Sequence, residues 1–265
     1  MASASATISS NALSLRFAAL RAAGRRALVT YVTAGYPTLE ESRELISALP
    51  GAGADVIEIG VPFSDPMADG PTIQASSQRA LENGMTLDGA LALVTDAAPG
   101  VPTVLFTYLN PLLAAGDDVL SRVLAAGVSG ILVTDLPLGA DQAREAWISG
   151  SGLAFVRLVA PTTPQERVAA IAEHGGGFVY VISRLGVTGV RGGISSSVGE
   201  TVQRVRNVTD LPVCVGFGVS TAQHARELRA VADGIVVGSA LVEAAGRGVS
   251  EALSLTAELR EALDG

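Results

Sequence analysis

Residues 213–238 read VCVGFGVSTAQHARELRAVADGIVVG. Positions 213–216 and 234–237 are short, uncharged apolar runs rich in valine and isoleucine. Positions 221–230 between them make a helical segment. Uncharged runs of this length suit strands covered on both faces. A helix between two such strands returns the chain to the same edge, so the strands pair in parallel. Thr221 stands before Ala222-Gln223-His224, where a helix N-cap belongs.

The same unit recurs outward from this stretch. Further apolar runs at 27–33, 54–59, 101–107, 130–134, 154–158 and 178–183 bring the strands to eight. Helical segments at 39–49, 72–83, 87–97, 117–126, 139–149 and 164–174 separate them, and 249–263 closes the chain. Thr163-Pro164 places a proline in a first turn, and Ala126-Gly127 and His174-Gly175 end helices on glycine. Eight such units in 265 residues predict an α/β chain, a single (β/α)8 TIM barrel over residues 11–265. An open doubly wound sheet of the same units is the alternative.

Leu13, Phe17 and Leu20 recur at i, i+4 and i+7, which predicts an extra N-terminal helix packed on the barrel. Residues 1–10 are rich in alanine and serine, and the first acidic residue is Glu40. They read as a disordered tail or as the start of a transit peptide. The short segment left before the helix favours the tail and a cytoplasmic chain. Arg16 and Arg21 interrupt any secretory apolar region.

Composition excludes several classes of function. The net charge of −8 argues against a basic face for nucleic acid. The longest apolar stretches, around ten residues, are too short for a bilayer. All 18 basic residues are arginine, which removes lysine Schiff-base chemistry and a Walker lysine. The single cysteine, Cys214, sits in an apolar run and reads as a buried hydrophobe. His174 reads as a helix C-terminal cap, His224 as an exposed first-turn residue and Trp147 as helix packing. With two separated histidines and one cysteine, neither a metal cluster nor a nucleophile–histidine pair is expected.

The chemistry gathers after the second strand, Ala54-Asp55-Val56-Ile57-Glu58-Ile59-Gly60. Alternation puts Val56 and Glu58 on one face and Ile57 and Ile59 on the other. Glu58 lies near the C-terminal end of the strand, the end that faces the active site of a barrel. A carboxyl group there loses solvation, and its pKa rises toward the acid–base range. The other reading is a structural acid paired with an arginine. The next segment, Val61 to Pro71, holds three prolines and two aspartates and so forms a stiff loop. Asp65 in it fits a turn-former as well as a functional acid.

The far end of the chain points to phosphate. Gly216-Phe217-Gly218 follows strand seven and Gly238-Ser239 follows strand eight. Glycines there let backbone approach a phosphate, and a short helix starting at Ser239 would aim free amides at it. Structural glycine turns would also explain each segment alone. Strand six runs into Arg184-Leu185-Gly186-Val187-Thr188-Gly189-Val190-Arg191-Gly192-Gly193. This reads as a mobile lid or an ordinary surface loop. It is not a dinucleotide fingerprint, because Gly193 is followed by Ile194 and three serines rather than by a helix.

The seventeen residues from Glu58 to Gln74, EIGVPFSDPMADGPTIQ, resemble the signature of the tryptophan synthase α chain family, with Met67 where leucine is usual. The resemblance extends over about residues 11–263. It takes in Tyr31 to Pro37, Tyr108-Leu109-Asn110-Pro111, Asp135-Leu136-Pro137, Ser183 to Gly189, and the two glycine segments. It implies retro-aldol cleavage of indole-3-glycerol phosphate to indole and glyceraldehyde 3-phosphate. Glu58 would be the general acid/base, and Asp69 would accept the indole N–H. Tyr31, Tyr180, Thr188, Gly189, Phe217, Gly218, Gly238 and Ser239 would bind substrate. Asp65, Arg184 and Asp135 would couple the loops to a partner. It implies no metal and no cofactor in this chain. The partner would be a β subunit carrying pyridoxal phosphate, in an α-β-β-α heterotetramer. Leu185 and Thr134 depart from the family pattern, the first where small or polar residues are common, the second where proline or alanine is. A stand-alone indole-glycerol phosphate lyase, a sugar-phosphate isomerase, and a non-catalytic activator of a β subunit are the rival readings.

Overall fold

Seven consecutive buried residues, Ala27–Thr33, form β1, the centre of the sheet. The computed structural model describes residues 11–183, 196–216 and 218–265. The expectations for the 1–10 tail and for Arg184, Leu185, Thr188, Gly189 and Phe217 fall outside them. Ahead of β1 lies α1 (Ala12–Ala22). After it come α2 (Leu39–Ala48), β2 (Val56–Gly60), α3 (Pro71–Glu82), α4 (Leu87–Ala97), β3 (Thr103–Thr107), α5 (Leu109–Ala114) and α6 (Val119–Ala125). Then follow β4 (Gly130–Val133), α7 (Gln142–Ser149), β5 (Ala154–Phe155), β6 (Arg157–Val159), α8 (Gln165–Glu173), β7 (Val179–Ile182) and α9 (Ser196–Arg206). The chain ends with β8 (Val213–Gly216), α10 (Ala222–Arg229), β9 (Gly234–Val237), α11 (Ser239–Arg247) and α12 (Val249–Asp264).

All the strand pairings are parallel, in the order β5-β4-β3-β2-β1-β9-β8-β7-β6. The two ends of that order are consecutive in sequence, joined through Val156, so the sheet curls into the barrel. The run expected at 154–158 is therefore two segments. β5 pairs with β4, β6 pairs with β7, and the Val156 amide donates to the Ile131 carbonyl at 2.9 Å between them.

Alternation sorts the side chains as the strand pattern predicts. Ala27, Val29, Val56, Val104, Leu132, Val156 and Val236 fill the interior, while Ile57, Ile59, Leu105 and Ile131 pack under the helices. The N-terminal stripe closes the bottom of the barrel. Leu13, Phe17 and Leu20 are buried against Phe178 and Ala154, with the Phe17 and Phe178 rings 5.4 Å apart. Beside this plug Asp55 is 1% exposed; it accepts from the Leu28 amide at 2.9 Å and pairs with Arg16 at 2.5 Å and Arg260 at 3.0 Å.

Three helical features differ from the sequence reading. α9 starts at Ser196, within the serine run read as non-helical. Its Val198, Val202 and Val205 stripe is buried, and that packing outweighs the weak helix preference of serine. Pro164 is the N-cap of α8 rather than a first-turn residue. The short helix α5 was not read from the sequence at all. It starts where the Leu109 amide donates to the Asp135 carboxylate at 2.8 Å, a contact between segments 26 positions apart. Other features follow the sequence: the Thr221 hydroxyl caps α10 through the His224 amide at 3.2 Å, Cys214 is buried, and His174 is the C-cap of α8. His224 is partly buried rather than exposed. Among the described residues no helix is long and apolar enough to cross a membrane, and no group of three or more His, Cys, Asp or Glu lies close enough to hold a metal.

Candidate active site

The C-terminal ends of the strands open into a cavity of about 450 Å³, within the size range of small-molecule sites. Tyr31, Glu58, Asp69, Tyr180, Gly218, Gly238 and Ser239 line it, brought together from five strand ends and loops. Phe106, Ile73, Val219, Ser220 and Glu243 also line it and were not singled out in the sequence. Phe106 was within reach of strand alternation, two positions after the interior Val104. Ile73 and Glu243 sit on helices α3 and α11, and no local pattern aims a helical residue at the barrel mouth.

Glu58 lies on β2 in the wall of this cavity. Its register partners are Tyr31 on β1 and Val104 on β3, and it is 1% exposed. Its Oε1 has no hydrogen-bond partner among the described residues, and no ion pair there involves it. The structural arginine partner considered from sequence is therefore absent among the described residues. Burial alone pushes the carboxyl up to about 8, so the acid is largely protonated at neutral pH. A buried carboxyl with a free oxygen, aimed into a cavity, is a proton donor and acceptor waiting for a ligand.

Asp69 reaches the same cavity from the loop after β2. Burial holds it above the usual carboxylate range, opposed by a hydrogen bond from the Tyr108 hydroxyl at 2.9 Å. The loop is pinned around Asp69: the Ala68 amide donates to the Tyr108 oxygen at 2.9 Å, and Gln74 donates to the Asp69 and Pro66 carbonyls at 2.9 and 3.3 Å. Phe63 and Tyr108 rings pack at 5.0 Å beneath it. Tyr108, missed from sequence as a single residue, stands at the head of a motif that was noticed. Asp65 and Met67, by contrast, are exposed; Asp65 accepts from Ser64 at 2.6 Å and does not line the cavity. Asp135 is likewise exposed, outside the cavity, and holds the start of α5.

Two tyrosines depend on glycines in neighbouring strands. A Cβ on Gly60 would meet the Tyr31 hydroxyl, and one on Gly216 the Tyr180 hydroxyl, both far inside contact distance. Tyr31 also packs edge-on to Phe106 at 5.2 Å. Gly60→Ala and Gly216→Ala are each expected to cost about 1–3 kcal/mol of stability by overpacking, read from urea unfolding midpoints. A variant as stable as wild type would show that the tyrosine yields without strain.

Opposite the carboxylates, Gly218 has φ +89°, a left-handed conformation suited to glycine. Gly238 is the N-cap of α11 and carries no side chain over the first-turn amides of Ser239 and Ala240. No arginine or histidine lines the cavity among the described residues, so these amides and the positive end of α11 supply the attraction for an anion. The arrangement offers free amides for an anion beside two desolvated carboxyl groups and aromatic walls in one cavity.

The family model described as tryptophan synthase alpha chain matches residues 17–263. The tryptophan synthase alpha chain of Synechococcus elongatus is 46% identical over 258 residues, covering 96% of this chain and 97% of the relative. That of a Picosynechococcus strain is 46% identical over 256 residues, covering 95% and 97%. Among solved structures, tryptophan synthase from Mycobacterium tuberculosis superposes with a TM-score of 0.88 at 40% identity, covering 96% of this chain and 98% of that one. The alpha subunit from Legionella pneumophila gives 0.87 at 31% identity, with 96% and 98% covered.

Proposed function

The chain belongs to the tryptophan synthase alpha chain family, and from that premise we infer how its residues work. It is a carbon–carbon lyase that cleaves indole-3-glycerol phosphate to indole and glyceraldehyde 3-phosphate. The observation that carries the residue assignment is Glu58, buried with a free oxygen at the cavity wall.

The bond that breaks joins indole C3 to the hydroxyl-bearing carbon of the glycerol chain. Its electrons stay with the indole, which must first take a proton at C3 to become an electron sink. The hydroxyl loses a proton as its carbon becomes the aldehyde. One proton goes in and one comes out, so a single group can give and take back. Glu58, protonated at neutral pH, donates toward C3 and then accepts the hydroxyl proton. Asp69, ionised, accepts the indole N–H and stabilises the positive charge developing on that nitrogen. Gly218, Gly238 and Ser239 hold the phosphate, and Thr188, Gly189 and Phe217 are proposed to complete that end. Tyr31 and Tyr180 flank the indole. Anchoring both ends positions the scissile bond.

The released indole is proposed to pass to a pyridoxal-phosphate β subunit in an α-β-β-α complex in the cytoplasm. Asp65, Arg184 and Asp135 would couple the loops around the mouth to that partner. Exposed Met67 and the exposed Asp65 carboxylate on the loop that carries Asp69 support this, because a partner seated there would press directly on the site. Adding a purified β subunit is expected to raise the cleavage rate of this chain at least tenfold, and Asp65→Asn to lose that stimulation while keeping the basal rate. A rate indifferent to the β subunit would replace the complex with a stand-alone lyase.

A further inference from the structure

We propose that Tyr108 is a positioning residue for the cleavage: its hydroxyl, fixed in one direction by the Ala68 amide, holds the Asp69 carboxylate in the orientation and charge state that accept the indole N–H. The inference rests on the role assigned to Asp69 above.

The geometry determines where the phenol proton goes. An amide N–H can only donate, so the phenolic oxygen is the acceptor in the 2.9 Å contact from Ala68. The hydroxyl proton must then point elsewhere, and Asp69 Oδ2 is 2.9 Å away. Stacking on Phe63 fixes the ring, so the donor cannot swing off the carboxylate without leaving that packing. Among the described residues, Tyr108 is the side chain that donates to this carboxylate.

The surroundings make that donor matter. The titratable groups that face Asp69 are Tyr108 at the end of β3, Tyr31 on β1, Glu58 on β2, Tyr180 on β7 and Glu243 on α11. None of these carries positive charge. Burial drives Asp69 toward its neutral form, which would present a proton to the indole N–H instead of a lone pair, and the Tyr108 hydrogen bond works against that drift. Thr134, one of the two departures from the family pattern, lies beside the Tyr108 hydroxyl and donates its own proton to the Thr107 carbonyl at 3.3 Å.

The test is a double-mutant cycle of Tyr108→Phe and Asp69→Asn, read as kcat and KM for indole-3-glycerol phosphate between pH 5.5 and 9. The substrate phosphate titrates near pH 6 in every variant, so only movement between variants counts. Tyr108→Phe keeps the ring on Phe63. It is expected to lower kcat/KM roughly tenfold at neutral pH, to move the acid limb of the profile to higher pH, and to recover part of the loss there. In the Asp69→Asn background the same change is expected to cost little more. Phe63→Leu, which loosens the Tyr108 ring, should move the limb the same way by less, and it carries the test if Tyr108→Phe fails to fold. An acid limb that stays put, or a Tyr108→Phe loss undiminished by Asp69→Asn, overturns the inference and leaves Tyr108 a packing residue. Asp69→Asn with wild-type kinetics overturns the Asp69 assignment itself, and the inference with it.

Discussion

Glu58→Gln is expected to reduce cleavage of indole-3-glycerol phosphate by about 100- to 10,000-fold, the usual contribution of a positioned acid–base group. Glutamine fills the same volume but neither gives nor takes a proton, so binding should survive and kcat should fall. The same substitution should make the protein more stable at alkaline pH. The folded state holds the Glu58 proton up to about pH 8, against an ordinary value of 4.5. Below 4.5 both folded and unfolded chains keep the proton and nothing is lost. Between about 4.5 and 8 the unfolded chain releases it while the buried group does not, so stability falls as pH rises through that window. Glutamine removes that slope, and at pH 8 the variant should exceed wild type by on the order of a few kcal/mol. Denaturant midpoints at pH 5 and pH 8 give the comparison. Equal pH slopes for the two proteins would mean that Glu58 is solvated in solution.

The second large effect lies at the opposite end of the barrel. Asp55→Ala should destabilise the fold by about 3–5 kcal/mol, because it strands the buried Arg260 guanidinium and orphans the Leu28 amide in β1. Arg260 keeps its second partner, Asp264, at 2.5 Å, which limits the loss toward the lower value. Cleavage per folded molecule should be unchanged, since Asp55 pairs with α1 and α12 ahead of β2, whereas Glu58 lines the cavity at the other end of the barrel. Urea unfolding measures the first quantity and kcat of the folded fraction the second. A loss under 1 kcal/mol would show that α1 and α12 hold the barrel bottom without this cluster.

Asp55 and Glu58 lie three positions apart, one just ahead of β2 and one within it, and only one of them was legible as functional from sequence. Position along the strand separated them: the barrel rule assigns chemistry to the C-terminal end, and Glu58 is nearer to it. Strands and helices were legible for the same kind of reason. Their apolar periods are local, and β8 and β9 fall at the residues read from 213–238. What escaped was set by distant contacts. The split of the fifth strand at Val156 answers to β4 on one side and β7 on the other. The helix α5 answers to Asp135, 26 residues away. Serine propensity hid the start of α9 because its valine stripe finds its partners only in the folded chain. Glu58 was visible from its place on the strand, and Asp69 through the resemblance carried by residues 58–74. Tyr108, which orients one of them, reaches Asp69 across 39 positions and had no local mark.

This cavity breaks the bond between indole and the glycerol phosphate, with Glu58 carrying the protons. Incubating the purified wild-type chain with indole-3-glycerol phosphate and following both products in one time course tests it most directly. Indole and glyceraldehyde 3-phosphate released in equal amounts, at a rate that falls as the pH passes about 8, is the predicted result. Substrate recovered intact, with and without a β subunit, would contradict it.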